Sequence, residues 1–215
     1  MQTTKSFKTK RNLSVEQLDN RLLLAGDCAA AMDADGDLNI TCDAEDNSII
    51  VSQLGGNLTV QGQPGTTING SPIPLILGPV DLDDLNIRMR GGDDFVSIAG
   101  IEADDVFVSL GKGDDTLLAA QLEVADDVTV RGGKGNDDIG LLAINAGDRV
   151  RVNAGRGDDT VSANLVTADK IRLRGRAGID TLILGSVIGD LVETGFEETS
   201  DDEDDGPGLP PLPLL

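Results

Sequence analysis

The sequence predicts an all-β fold: a parallel β-solenoid of about seven coils of 20–22 residues, with disordered termini. Three observations carry that reading. A Gly-Asp turn recurs five times in the second half of the chain. An alternating apolar strand stands seven residues ahead of each turn. The interior available is aliphatic and narrow, because aromatics make up only 2% of the 215 residues and Trp and Tyr are absent.

The turns are Gly92-Asp93-Asp94, Gly113-Asp114-Asp115, Gly135-Asn136-Asp137, Gly157-Asp158-Asp159 and Gly178-Ile179-Asp180. Counted from glycine to glycine, the spacings are 21, 22, 22 and 21 residues. A fixed period of that size means that each repeat is one coil stacked on the last. The strands before the turns carry inward pairs Leu85/Ile87, Val106/Val108, Val128/Val130, Val150/Val152 and Ile171/Leu173. Alternation of this kind marks a strand with one buried face. A second apolar position follows each turn, at Val96, Leu117, Ile139, Val161 and Leu182. Each coil is therefore expected to hold two short strands and two turns.

The template continues upstream. Leu58/Val60 precede Gly65-Thr66-Thr67-Ile68, and Leu38/Ile40 precede Glu45-Asp46-Asn47-Ser48-Ile49, in the same register. Residues 71–77 read as an insertion. About seven coils then fill Asp33 to Gly189, with 190–196 as a terminal cap, right-handed by the preference of parallel crossovers.

The chain divides into three parts. Residues 1–26 are basic (Lys5, Lys8, Lys10, Arg11, Arg21) with one short apolar stretch, Leu22-Leu23-Leu24-Ala25-Gly26, too short to span a membrane. Residues 27–196 carry the repeats. Residues 197–215 join an acidic run to Gly-Pro-Gly-Leu-Pro-Pro-Leu-Pro-Leu-Leu, a composition that cannot bury enough surface to order itself. Val15-Glu16-Gln17-Leu18-Asp19-Asn20-Arg21-Leu22-Leu23-Leu24-Ala25-Gly26 resembles the N-terminal motif of many exported planctomycete proteins, basic residues followed by Glu-x-Leu-x-x-Arg-x-Leu-Leu. That resemblance implies a secreted or cell-surface protein. The alternative is a short amphipathic helix capping the fold.

Formal charge is −21, from 38 acidic and 17 basic residues. The balance argues against nucleic acid and anionic membranes as partners, and for cations. No histidine is present, which removes the commonest general base and the usual zinc ligand. No nucleophile-and-base pairing or aromatic platform stands out, so an enzyme, including one acting on polysaccharide, is not expected. Cys28 and Cys42 read either as one disulfide or as two small buried residues.

The turn segments resemble the calcium-binding nonapeptide of repeats-in-toxin (RTX) proteins, Gly-Gly-x-Gly-x-Asp-x-U-x with U a large aliphatic residue. Gly132-Gly133-Lys134-Gly135-Asn136-Asp137-Asp138-Ile139-Gly140 matches every position. The segments at 111–117 and 155–161 lack only the first glycine, and those at 92–96 and 175–182 are degenerate. The resemblance implies a parallel β-roll holding Ca²⁺ between stacked turns. Its ligands would be Asp94, Asp115, Asp137, Asp159 and Asp180, joined by Asp93, Asp114 and Asp158 and by the backbone at Gly113, Gly135 and Gly157. RTX repeats run in tandem every nine residues, whereas here the motif appears once per coil, so one column of ions is expected at most.

Physics points to a cation without the resemblance. Carboxylates stacked one strand apart repel by about 1 kcal/mol per pair in water and by several times that near a protein surface. Oxygen ligands without imidazole or thiolate suit Ca²⁺. The competing reading is a ladder of polar turns, with Asp bonded to local amides and neutralised by Lys112, Lys134 and Arg156. A separate calcium loop at Asp33-Ala34-Asp35-Gly36-Asp37 competes with a plain turn. Outward columns Arg88/Ser109/Arg131/Asn153/Arg174 and Asn86/Phe107/Thr129/Arg151/Arg172 read as a solvated face or as a site for acidic glycans. The expected function is an exported, calcium-binding structural or adhesive module whose partners are calcium ions and an extracellular polysaccharide or cell-envelope protein. The alternative is a metal-independent glycan- or protein-binding solenoid.

Overall fold

The computed structural model describes residues 26–200, and all their regular elements are strands. Accordingly, no helix among the described residues is long and apolar enough to cross a membrane. The export-like segment before Gly26 and the acidic, Pro-rich residues after Ser200 lie outside the described residues.

The chain opens on an antiparallel hairpin of β1 (Gly26–Met32) and β2 (Leu38–Cys42), in which Cys28 faces Cys42 and the two form a disulfide. In its loop the Asp33 carboxylate accepts the amides of Asp35 and Asp37 at 3.1 and 3.0 Å. The acidic segment 33–37 is thus a turn whose leading carboxylate is engaged by its own backbone.

Next come β3 (Ser48–Leu54), β4 (Asn57–Gly62), β5 (Thr66–Ile68) and β6 (Leu75–Pro79). Here the structure corrects the sequence reading. Leu58 and Val60 do not begin a coil; β4 runs antiparallel to β3, with Val60 opposite Val51. The cause is Gly55-Gly56, both at positive φ (57° and 79°), which reverse the chain within two residues. Strand β4 also pairs antiparallel with β6, and β1 pairs parallel with β5. Since β2 and β3 have β1 and β4 on one side and the coils on the other, these reversed strands close the N-terminal end of the core.

Residues 55–83 are therefore one excursion, after which the chain returns to stack directly on β2 and β3. Strands β7 (Asp84–Arg88), β8 (Phe95–Ala99) and β9 (Glu102–Ala103) form the next coil, with Leu85 on Leu38 and Val96 on Ile49. Then follow β10 (Asp105–Lys112) with β11 (Thr116–Val124), and β12 (Asp127–Lys134) with β13 (Asp138–Ala146). The stack ends with β14 (Arg149–Arg156), β15 (Thr160–Ala177), β16 (Thr181–Leu184), β17 (Val187–Thr194) and β18 (Glu198–Ser200). All these pairings are parallel and in near-perfect register. Complete coils run from 84 to 189. The pairing of β18 with β16 carries the solenoid to Ser200, past the expected boundary at 196.

Each coil has three sides rather than two. Gly100, Gln121, Ala143 and Leu165 occupy equivalent positions with φ between 55° and 66°, and a single left-handed residue there bends the second strand into a third short segment. Inside, like sits on like. The columns Leu38–Leu85–Val106–Val128–Val150–Ile171 and Ile49–Val96–Leu117–Ile139–Val161–Leu182 are all at most 2% exposed. Each such side chain contributes roughly 1.5–3 kcal/mol by leaving water. Branched aliphatics of similar size allow every coil to repeat the packing of the last, which explains why rings are so scarce.

Candidate functional site

The Gly-Asp turns link the first side of each coil to the second, so the stacking of β10, β12, β14 and β15 brings the turns into one edge. Their glycines are fixed by close approach. Gly113, Gly135 and Gly157 have φ of 120°, 115° and 125°. A β-carbon on each would overlap the carbonyl oxygen of the equivalent glycine one coil earlier, namely Gly92, Gly113 and Gly135. Only glycine fits both demands.

The two acidic positions of each turn part company. The second, at Asp94, Asp115, Asp137, Asp159 and Asp180, is at most 2% exposed. In each of these the Oδ1 atom accepts an amide from the coil before. The Asp94 amide donates to Asp115 at 2.8 Å, Asp115 to Asp137 at 3.1 Å, Asp137 to Asp159 at 2.8 Å and Asp159 to Asp180 at 3.0 Å. The first position, at Asp93, Asp114, Asn136 and Asp158, is exposed and runs the other way. Each of these side chains accepts the amide of the following coil, with distances of 2.7–2.8 Å along the column. Both turn amides are thereby satisfied by carboxylates or an amide of neighbouring coils, not by local Asx turns.

The inner column keeps an unmatched atom. In all five buried aspartates Oδ2 is buried and has no hydrogen-bond partner. A buried acceptor left bare is unfavourable by roughly 1–3 kcal/mol, and more if charged. Burial pushes the carboxyls of Asp94 and Asp137 up to about 8, and those of Asp115 and Asp159 up to about 6, with neighbouring aspartates adding to the rise and the amide bonds opposing it. Asp180 is raised by burial in the same way. The Oδ2 of Asp137 and the carbonyl oxygen of Ala154 both crowd the point where a β-carbon on Gly132 would sit, which brings a second oxygen to the unpartnered Oδ2. The same arrangement recurs at Gly175 with Asp180 and the carbonyl of Gly195.

The ladder extends beyond the residues the repeat singles out. At its start Asn47 stands in the Asp position, 1% exposed, and its amide donates to Asp94 at 2.8 Å. At its end the Asp180 amide donates to Glu197 at 2.6 Å. Asn47 is legible from the register of Glu45-Asp46-Asn47, but Glu197 breaks the period and gives no signal. Lys112, Lys134 and Arg156 are exposed and make no ion pair with the turn aspartates: the one ion pair among the described residues is Arg149–Asp127.

The donor set is all hard oxygen, carboxylate and peptide carbonyl, which fits Ca²⁺ better than a transition metal. Among the described residues no three carboxylates converge on a single point, so an ion here would draw much of its shell from carbonyls and water. No family model, curated protein or solved structure matches this chain.

Proposed function

We propose that this protein is a calcium-stabilised β-solenoid that serves as a structural or adhesive module outside the cell. The observation that carries this reading is the column of five buried Oδ2 atoms without partners. Such a column has two remedies, a proton on each carboxyl or a cation between them. Calcium is abundant outside cells and scarce inside, so a chain exported in the charged, loosely held form would complete its folding on arrival. Asp94, Asp115, Asp137, Asp159 and Asp180 would hold the ions through Oδ2, aided by turn carbonyls. Asp93, Asp114 and Asp158 line the exposed rim of the same edge. Bound calcium would supply positive charge to a stack of carboxylates and tie each coil to the next. The Cys28–Cys42 disulfide supports an oxidising compartment, and the basic N-terminal motif supports export.

Circular dichroism and thermal melting of the full chain in EDTA, Ca²⁺ and Mg²⁺ test the reading. A calcium-specific rise in melting temperature supports it. Equal stability in all three would make the ladder a purely protein device.

A further inference from the structure

The cations of this solenoid are sorted by face. All twelve Lys and Arg among residues 26–200 lie on or directly beside the first side of the coils: Arg88 and Arg90, Lys112, Arg131 and Lys134, Arg149, Arg151 and Arg156, and Lys170, Arg172, Arg174 and Arg176. The second side, from Phe95 to Leu184, carries none. A protein of formal charge −21 thus gathers these cations on one sheet face. There the column Asp84, Asp105 and Asp127 leads into Arg149 and Lys170, and the acidic groups give way to basic ones toward the C-terminal coils.

Parallel register sets like charges on top of one another. Arg151 pairs with Arg172, Arg149 with Lys170, and Lys112 with Lys134, which pairs in turn with Arg156. Like charges directly across a strand pair are unfavourable. Among the described residues only Arg149 has an acidic partner within ion-pair distance, Asp127. The other eleven make no ion pair with the carboxylates of the fold, Asp84 and Asp105 of their own face included, and would gain from added counter-charge. Their density rises toward the C-terminal coils. There Arg131, Arg151, Arg174 and Arg176 line a cleft of about 310 Å³ together with Asn153, whose Oδ1 is buried and unpartnered. Ser109 and Asn153 alternate with Arg88, Arg131 and Arg174 along one column, and Thr129 stands next to Arg151 and Arg172 in the adjoining one.

We infer that this face binds an acidic polysaccharide, a linear chain of uronate or sulfate groups lying along the solenoid axis. Guanidinium groups in a fixed fork take carboxylate or sulfate bidentately, and the interleaved hydroxyl and amide groups suit sugar hydroxyls. Nucleic acid fits less well. The one ring on the face, Phe107, is covered by Arg88 and Arg131, at 5.2 and 5.1 Å from its centroid, leaving no platform on which bases could stack. The surrounding acidic edges also repel a densely charged phosphate backbone.

The inference stands apart from calcium, because no residue of this face belongs to the aspartate ladder. Its test is titration of the full chain, kept in calcium, with heparin, hyaluronate, neutral dextran and oligodeoxythymidine at several salt concentrations. The expected result is binding of heparin and hyaluronate, none of dextran, and affinity that falls with salt. Arg151→Gln/Arg172→Gln/Arg174→Gln should weaken binding about tenfold or more and lower the salt slope by roughly two. Leu142→Ser, on the second side, should change nothing. Should the triple variant fold poorly, Arg151→Gln alone gives the same comparison with a smaller loss. Absence of binding at low salt, affinity unmoved by the Arg variants, or oligodeoxythymidine binding as tightly as heparin would each overturn the inference.

Discussion

Replacing Asp137 by Asn separates the two roles of the ladder. The substituted side chain keeps the Oδ1 that accepts the Asp115 amide, and it turns the bare Oδ2 into a donor beside the Ala154 carbonyl. Without metal, the wild-type carboxyl must either hold a proton taken up against an ordinary value of 3.8 or sit buried as an anion, its pKa being pushed up to about 8. At pH 7 that spans about 3 pH units at about 1.4 kcal/mol each, an upper bound near 4 kcal/mol. Relaxation around the ladder reduces the bound, so Asp137→Asn should stabilise the metal-free protein by about 2 kcal/mol or more. For a chain of this size, about 2 kcal/mol raises the melting temperature by roughly 4–8 °C. In calcium the order reverses, because the variant has lost one ligand charge and gains less from the ion. Melting of both proteins at pH 7, in EDTA and in Ca²⁺, reads the crossing. A variant less stable than wild type in EDTA would refute the claim that this carboxyl is a desolvated burden.

Three further outcomes follow from the same geometry. In EDTA the wild-type protein should lose stability as pH rises from 4 to 8, against the usual trend of acid unfolding. Folding raises the inner carboxyls to about 6 and about 8, so it favours their protonated forms; that contribution is complete below the unfolded value of 3.8 and is lost as pH climbs through the folded values. Calcium should flatten the profile, which melting at a series of pH values measures. Gly135→Ala should destabilise by about 2 kcal/mol or more, since φ of 115° and overlap with the Gly113 carbonyl both oppose a β-carbon. Leu165→Gly should be neutral or stabilising by up to about 1 kcal/mol, because Leu165 is 56% exposed and sits at φ 55°; chemical denaturation reads both changes.

Much of the architecture was legible in the chain. A period carried by Gly and Asp at one turn and by aliphatic pairs before it leaves little freedom, because a slip of one residue would place Val128 and Val130 in water. The inner and outer Asp columns were visible as positions, but their opposite hydrogen-bonding sense was not, since it depends on which neighbouring coil each carboxylate meets. The third side of the coil was hidden because its corner is taken by Gly100, Gln121, Ala143 and Leu165, residues with no shared chemistry. The antiparallel cap was missed at Leu58 and Val60. Their alternation satisfies a hairpin as well as a coil, and the deciding signal was Gly55-Gly56. The basic face was visible only in fragments, because its residues fall at several offsets within the repeat and meet only when the coils are stacked.

The most direct measurement is equilibrium dialysis of the full chain against calcium, with the bound ions counted per chain. Four inter-coil links join the five buried aspartates, so a calcium-holding ladder predicts several ions per chain, as many as one for each link. It also predicts that the count falls when Asp115, Asp137 and Asp159 are changed to Asn. A chain that binds no calcium at millimolar free ion, or whose count is untouched by those changes, would contradict it.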